Sequence, residues 1–119
     1  MYPPPPLDII QRLLRIDIET VCHGRCVVHL GFENGNGLSF SAPFRFADRK
    51  VLADSPIFDF PLSESNLLRA LGCHVTALEC EPDGTLALRF SNNDVLVVYA
   101  NSPAYEAYTL KIDGKEYVV

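Results

Sequence analysis

The stretch Val28-His29-Leu30-Gly31-Phe32 returns later in the chain as Leu86-Ala87-Leu88-Arg89-Phe90, with apolar residues at the same alternate positions. Leu38 returns as Leu96, and an earlier segment, Leu13-Leu14-Arg15, is echoed by Leu67-Leu68-Arg69. Alternation with a period of two is typical of a strand that buries one face. The echo therefore predicts two related units, each made of a short helix followed by alternating strands.

Turn signals separate the predicted strands. Two Asn-Gly pairs lie within residues 33–37, and Glu81-Pro82-Asp83-Gly84 is a second strong signal. Strands joined by such short turns are expected to pair antiparallel. Apolar spacing over residues 7–14 favours one helix, and Gly72 is well placed to end a second helix over residues 66–71. We therefore predict an α+β fold of two helix-plus-three-strand repeats, with mostly antiparallel sheet and a terminal β-hairpin.

The chain has 119 residues, which is the size of a single domain. The sequence leaves open whether its strands form one sheet or two packed layers. Within the domain we predict a proline-rich leader at 1–6, the first repeat at 7–44, an acidic irregular linker at 45–62, the second repeat at 63–100, and a loop with the C-terminal hairpin at 101–119.

The leader lacks the basic start and the apolar middle of a signal peptide. No apolar run approaches the ~20 residues that a membrane helix needs. The predicted location is therefore the cytoplasm, with no membrane partner, and the four cysteines are expected to be reduced thiols.

The net charge of −5 argues against nucleic acid as a partner, because phosphate binding needs clustered Lys and Arg. The acids of the predicted linker and of the residues after it have two interpretations. The first is a solvated loop, and the second is an edge that attracts a basic partner. The acids in question are Asp48, Asp54, Asp59 and Glu64.

Two clusters of Cys and His invite a metal hypothesis: Cys22, His23 and Cys26, and later Cys73, His74 and Cys80. Only the first spacing is close to that of a zinc knuckle, and strand alternation sends neighbouring Cys and His to opposite faces. We therefore predict no metal and no cofactor. A small metal- or ligand-binding module using these residues is the alternative.

Nucleophilic catalysis needs a Ser or Cys beside a His and an orienting acid. None of the three histidines, His23, His29 and His74, lies in a recognised motif of that kind. The prediction is therefore a protein that is not an enzyme.

Three stretches in the second half of the chain match a known pattern: Leu67-Leu68-Arg69-Ala70-Leu71-Gly72, Thr85-Leu86-Ala87-Leu88-Arg89-Phe90 and Pro103-Ala104-Tyr105-Glu106-Ala107-Tyr108-Thr109-Leu110. Through these stretches the chain resembles a family of small bacterial domains of unassigned function. Several such families are immunity proteins of polymorphic toxin and contact-dependent growth inhibition systems. The resemblance covers under half of the chain, and Tyr105-Glu106-Ala107-Tyr108 matches a Tyr-Glu-x-aromatic stretch that precedes the family's final strand.

The resemblance implies a protein that neutralises a cognate toxin by covering a functional surface of it. Many such toxins are nucleases with basic clefts, and acidic side chains can compete for those charges. We predict that Asp48, Asp54, Asp59 and Glu64 form the contact edge, with Tyr105 and Tyr108 as further anchors. Homodimerisation through an exposed strand edge is compatible with this function.

Overall fold

The computed structural model describes residues 4–62, 64–100 and 107–119. Within these residues the chain is mostly β, with nine strands in two antiparallel sheets, so the predicted α+β class with helix-plus-strand repeats is wrong. The elements are α1 (Leu7–Ile10), β1 (Ile18–His23), β2 (Val28–Phe32), β3 (Gly37–Phe40), β4 (Phe44–Asp48), β5 (Val75–Cys80), β6 (Leu86–Phe90), β7 (Asp94–Val98), β8 (Tyr108–Ile112) and β9 (Lys115–Val118).

The helical segments are shorter than predicted because the chain turns sharply after each of them. A 3-10 segment, Gln11–Leu13, follows α1, and the second predicted helix is only the 3-10 segment Leu67–Ala70. Arg15 and Gly72 soon follow with positive φ angles of 67° and 81°. Each segment contributes two buried side chains three residues apart: Ile10 and Leu13 in the first, Leu67 and Ala70 in the second.

The two sheets exchange strands between the halves of the chain. The first sheet has the order β1-β2-β3-β8-β9, and the second has the order β4-β7-β6-β5. Thus β4 follows β3 in sequence but pairs with β7, while β8 follows β7 and pairs with β3. The halves are therefore interlocked. Residues 45–48, predicted as part of an irregular linker, belong to the exchanged strand β4.

The pairing register is the same in both sheets. Val28 faces Phe40 in the first sheet as Leu86 faces Val98 in the second. The register also shifts at corresponding places in β1 and β5, between Ile18 and Thr20 and between Val75 and Ala77. Reciprocal backbone bonds join the sheets, since Arg15 N donates to Val75 O and Gly72 N donates to Ile18 O. The halves are thus related by a pseudo-two-fold axis.

This correspondence differs from the echo at the start of the repeats. Structurally, Arg15 matches Gly72, so Leu13 corresponds to Ala70 and not to Leu67. The sequence echo gives a different alignment because it matches identical residues. The fold instead matches the buried positions of the two short helical segments.

One core lies between the sheets and takes its side chains from both halves. The largest buried side chains include Phe40, Phe44, Phe46 and Phe90. At the C-terminal end, β8 and β9 form a hairpin whose turn residues Asp113 and Gly114 both have positive φ, as a two-residue type I′ turn requires. No helix among the described residues is long and apolar enough to cross a membrane.

Candidate functional site

The two halves match on their inner faces and differ on their outer faces. The inner residue Leu30 corresponds to Leu88, whereas the outer residue His29 corresponds to Ala87. Because the same backbone arrangement accommodates the outer side chains of either half, folding requires neither set of outer side chains. Outer and edge positions where the halves differ are therefore where a function can reside.

The predicted acidic residues do not form one continuous edge. Asp48 ends β4 and faces Asp94, and one of its carboxylate oxygens accepts a hydrogen bond from Lys50 N at 2.9 Å. Asp54 is exposed in the 3-10 segment Leu52–Asp54. Asp59 follows Phe58, which bridges to Phe44 at the other end of β4. Asp48 and Asp59 are therefore separated by the length of this strand, about 13 Å at ~3.3 Å per residue.

The fourth acid, Glu64, lines a surface depression beside the edge strand β1. The depression has a volume of about 240 Å³. Leu68 stands at it with 68% of its surface exposed, although leucine is strongly apolar. We call this site the β1-edge depression; it is lined by Val21, His23, Glu64, Ser65 and Leu68.

The corresponding position in the other half shows that the fold does not need an exposed leucine here. Leu68 follows Leu67 as Gln11 follows Ile10, and Gln11 is also exposed. A second leucine, Leu71, is 48% exposed just after the same 3-10 segment. Exposed apolar side chains next to one another typically mark a contact surface.

The two predicted tyrosine anchors have different outcomes. Tyr105 lies outside the described residues. Tyr108 is only 2% exposed, and its hydroxyl donates a hydrogen bond to Gly84 O at 2.6 Å. The Tyr108 ring packs in the core opposite Phe40, so it has no free surface to offer a partner.

Burial also sets the acid-base behaviour around Tyr108. Desolvation raises the pKa of the Tyr108 hydroxyl, and its contact with the Cys80 Sγ at 3.7 Å raises it further. Desolvation raises the pKa of the Cys80 thiol as well, although the contact with Tyr108 opposes that shift. Because thiolates are the reactive form, the raised pKa makes Cys80 a packing residue more than a nucleophile or a metal ligand.

Tyr108→Phe should therefore change how stability depends on alkaline pH. A raised folded-state pKa gives a stabilisation that is complete below the ordinary tyrosine pKa of about 10 and is lost as the pH rises from there toward the folded value. The variant should lose about 1–2 kcal/mol near neutral pH through the missing hydrogen bond, yet decline less above about pH 10. Urea unfolding at several pH values measures both effects.

The half-buried Tyr117 supplies the matched control. Tyr117→Phe should follow the alkaline decline of the unsubstituted protein. Equal declines for the Tyr108→Phe variant and the unsubstituted protein would show that this hydroxyl does not carry the effect.

A Ser-His pair lies on the outer face of the first sheet. His29 Nδ1 is 2.7 Å from Ser39 Oγ on the neighbouring strand, and Cys22 faces His29 from β1. Gly37 makes room for the ring, since an added Cβ there would lie 3.0 Å from His29 Cε1. Within the described residues no carboxylate hydrogen-bonds to His29, so the pair has the geometry of a cross-strand hydrogen bond without the orienting acid of a catalytic triad.

The Cys-His clusters do not converge in the described part of the chain. All four cysteines are free, with Cys22 and Cys26 exposed. His74 lies beside Asp17, with 3.6 Å between His74 Nδ1 and Asp17 Oδ1, where the two halves of the chain meet. Among the described residues no group of three or more His, Cys, Asp or Glu side chains could hold a metal ion.

No protein-family model, curated protein or solved structure matches the chain at a significant level.

Sequence reasoning missed Leu68 and the Ser39 hydroxyl. The signal that could have found them is the difference between the two repeats: Leu68 where the first half has Gln11, and Ser39 where the second half has Val97. That comparison requires the structural correspondence, because the echo in the sequence aligns Leu68 with Leu14.

Proposed function

We propose that this chain is a protein-binding domain, that it contacts its partner through the β1-edge depression, and that the partner is a basic protein. The observation that carries the proposal is Leu68, 68% exposed beside Glu64, at a position where the other half of the same fold has Gln11.

The physical argument for binding is the combination of an apolar anchor and a polar rim. Protein interfaces concentrate their binding energy in a few apolar side chains surrounded by polar groups that exclude water. Leu68 and Val21 supply the apolar part of the depression, and His23, Glu64 and Ser65 supply polar groups around it.

Charge favours a basic partner at this edge. Glu19 on β1 and Glu64 are both exposed, and the chain as a whole carries a net charge of −5. Complementary charge speeds association and discriminates against other acidic proteins. Together with the resemblance to immunity proteins, this supports a cognate toxin with a basic functional surface, such as a nuclease, as the partner.

The test uses the C-terminal domain of the large secreted protein that a toxin-immunity pair would encode immediately upstream. Co-expression of the present chain should protect cells from that domain, and the purified pair should form a 1:1 complex. Leu68→Gln should weaken the complex about tenfold or more, because it removes the apolar anchor. Glu64→Gln should slow association and reduce its dependence on salt.

Leu7→Gln is the matched control, since Leu7 is 52% exposed and belongs to the other half of the chain. It should leave the affinity unchanged. Equal losses for Leu68→Gln and Leu7→Gln would overturn the assignment of the surface. A dimer of this chain that Leu68→Gln converts to monomer would replace the toxin with a second copy as the occupant.

A further inference from the structure

The outer face of the second sheet carries three arginines around an apolar centre. Arg45 on β4 faces Val97 on the central strand β7, and Arg89 on β6 faces Val95 on the same strand. Arg49 follows β4, and its backbone N–H donates to Asn93 O just before β7. The three arginines therefore surround one short stretch of β7.

A depression of about 260 Å³ lies at the centre of this face. Its floor is apolar, and Val95 there is only 9% exposed although it lies outside the core between the sheets. The 3-10 segment Leu52–Asp54 packs against β4 and contributes Leu52 as one wall. The lining includes Arg49, Leu52, Ala77, Ala87, Arg89 and Val95.

These arginines lack carboxylate partners in an acidic protein. The chain has 15 Asp and Glu against 10 Lys and Arg, yet among the described residues no carboxylate oxygen lies within 4.0 Å of a guanidinium nitrogen of Arg45, Arg49 or Arg89. In addition, Arg45 Nε is buried without a hydrogen-bond acceptor within the same part of the chain. Arg45 does not line the depression, so the guanidinium groups available to a ligand there are those of Arg49 and Arg89.

The fold does not require arginine at these three positions. In the other half, Arg45 and Arg49 correspond to Thr109 and Asp113, and Arg89 corresponds to Gly31. One backbone framework thus carries a basic set on one face and a neutral or acidic set on the other. The arginines of the second sheet therefore need an explanation other than folding.

We propose that this face binds a small organic monocarboxylate with a short apolar body. The guanidinium of Arg89 holds the carboxylate through paired N–H groups, Arg49 adds positive charge beside it, and the apolar body lies on Ala77, Ala87 and Val95. The depression is smaller than the roughly 300–1,000 Å³ of sites for drug-sized ligands, which limits the ligand to a small one. Glu79 also lines the depression and disfavours a second negative charge.

Phenylacetate is the probe, and its neutral isostere phenylacetamide is the comparison ligand. In a titration followed by amide chemical shifts, phenylacetate should bind saturably and move the resonances of Ala77, Ala87 and Val95. Phenylacetamide should bind at least about tenfold more weakly, since it lacks the charge that the arginines recognise. Arg89→Gln should weaken phenylacetate about tenfold and phenylacetamide much less.

Arg25→Gln is the control for overall charge, because Arg25 is an exposed residue of the β1–β2 turn on the first sheet. It should leave phenylacetate binding unchanged, and so should Leu68→Gln, which keeps this test separate from the protein-binding proposal. Equal binding of the two probes, equal losses for the Arg25 and Arg89 variants, or shifts confined to another face would each overturn the proposal.

Discussion

Residues 1–62 and 63–119, expressed as separate polypeptides, should each fail to fold alone and should fold together when mixed. The reason is the exchange of strands, since β4 completes the second sheet and β8 completes the first. A fragment on its own leaves the pairing edge of its last core strand empty and exposes the apolar face that the other half covers. We therefore expect the complete loss of cooperative unfolding in each fragment.

Circular dichroism and urea unfolding of the fragments, apart and mixed in equal amounts, measure the effect. The mixture should regain β-sheet structure and elute as a 1:1 complex. The intact chain cut by a protease at a site inserted after Leu62 is the control, because it should stay folded as a noncovalent complex. A fragment that unfolds cooperatively as a monomer would show that the halves are independent units and that the exchange is not essential.

The strands were easier to predict than the way they pair. Alternation in β2 and β6 and the Asn-Gly turn after Phe32 are local signals, and they predict strands where the structure has them. The exchange of β4 and β8 leaves no such local signal. Both strands have alternating apolar residues, and either strand could pair with β3 or with β7. Which pairing forms therefore depends on how the two sheets pack around one core.

The predicted helices illustrate a different limit of sequence reasoning. Short apolar runs do not distinguish an α-helix from a single 3-10 turn. The difference decides which leucines are exposed. With three residues per turn, Leu67 and Ala70 are buried together, and Leu68 and Leu71 are left in solvent. The apolar anchor of the proposed binding surface follows from this geometry and could not be identified from composition.

The four predicted acidic contact residues stay a prediction, and the structure spreads them over different parts of the surface. Charge alone predicted that Asp48, Asp54, Asp59 and Glu64 would act together, but β4 places Asp48 and Asp59 at its opposite ends. Glu64 lies at a depression that the exposed side chain of Leu68 also lines. Net charge indicates a class of partner, whereas the shape that the strands create decides where that partner can dock.

Phe44→Ala should be the most destabilising of the point substitutions considered, with a loss of about 3–5 kcal/mol in the free energy of unfolding. Phe44 is fully buried at the start of the exchanged strand β4. Its ring lies 5.1 Å from that of Phe40 in an edge-to-face contact and 5.2 Å from that of Phe58 in a stacked one, and Phe60 completes the cluster. Removing the ring leaves a cavity with three aromatic walls.

Urea unfolding should show a lower midpoint, while the dependence of the unfolding free energy on urea concentration stays unchanged. The substitution removes packing contacts but does not change the surface area that unfolding exposes. Phe44→Leu keeps most of the volume and should cost about 1–1.5 kcal/mol. Phe58→Ala is the sharper control, because Phe58 is only partly buried and stacks on the same ring. It should cost about half as much as Phe44→Ala, since less of its surface is removed from water.

The size of the Phe44→Ala effect also bears on the interlocked topology. Phe40 belongs to the first sheet and Phe44 to the second, so their contact joins the two sheets a few residues apart in sequence, where the chain crosses between them. If the crossing determines which sheet β4 joins, Phe44→Ala should also weaken the association of the two fragments. The expected factor is comparable to the factor by which the substitution shifts the unfolding equilibrium of the intact chain. A large loss of stability in the intact chain with unchanged reassembly would mean that Phe44 only fills the core and does not direct the exchange of strands.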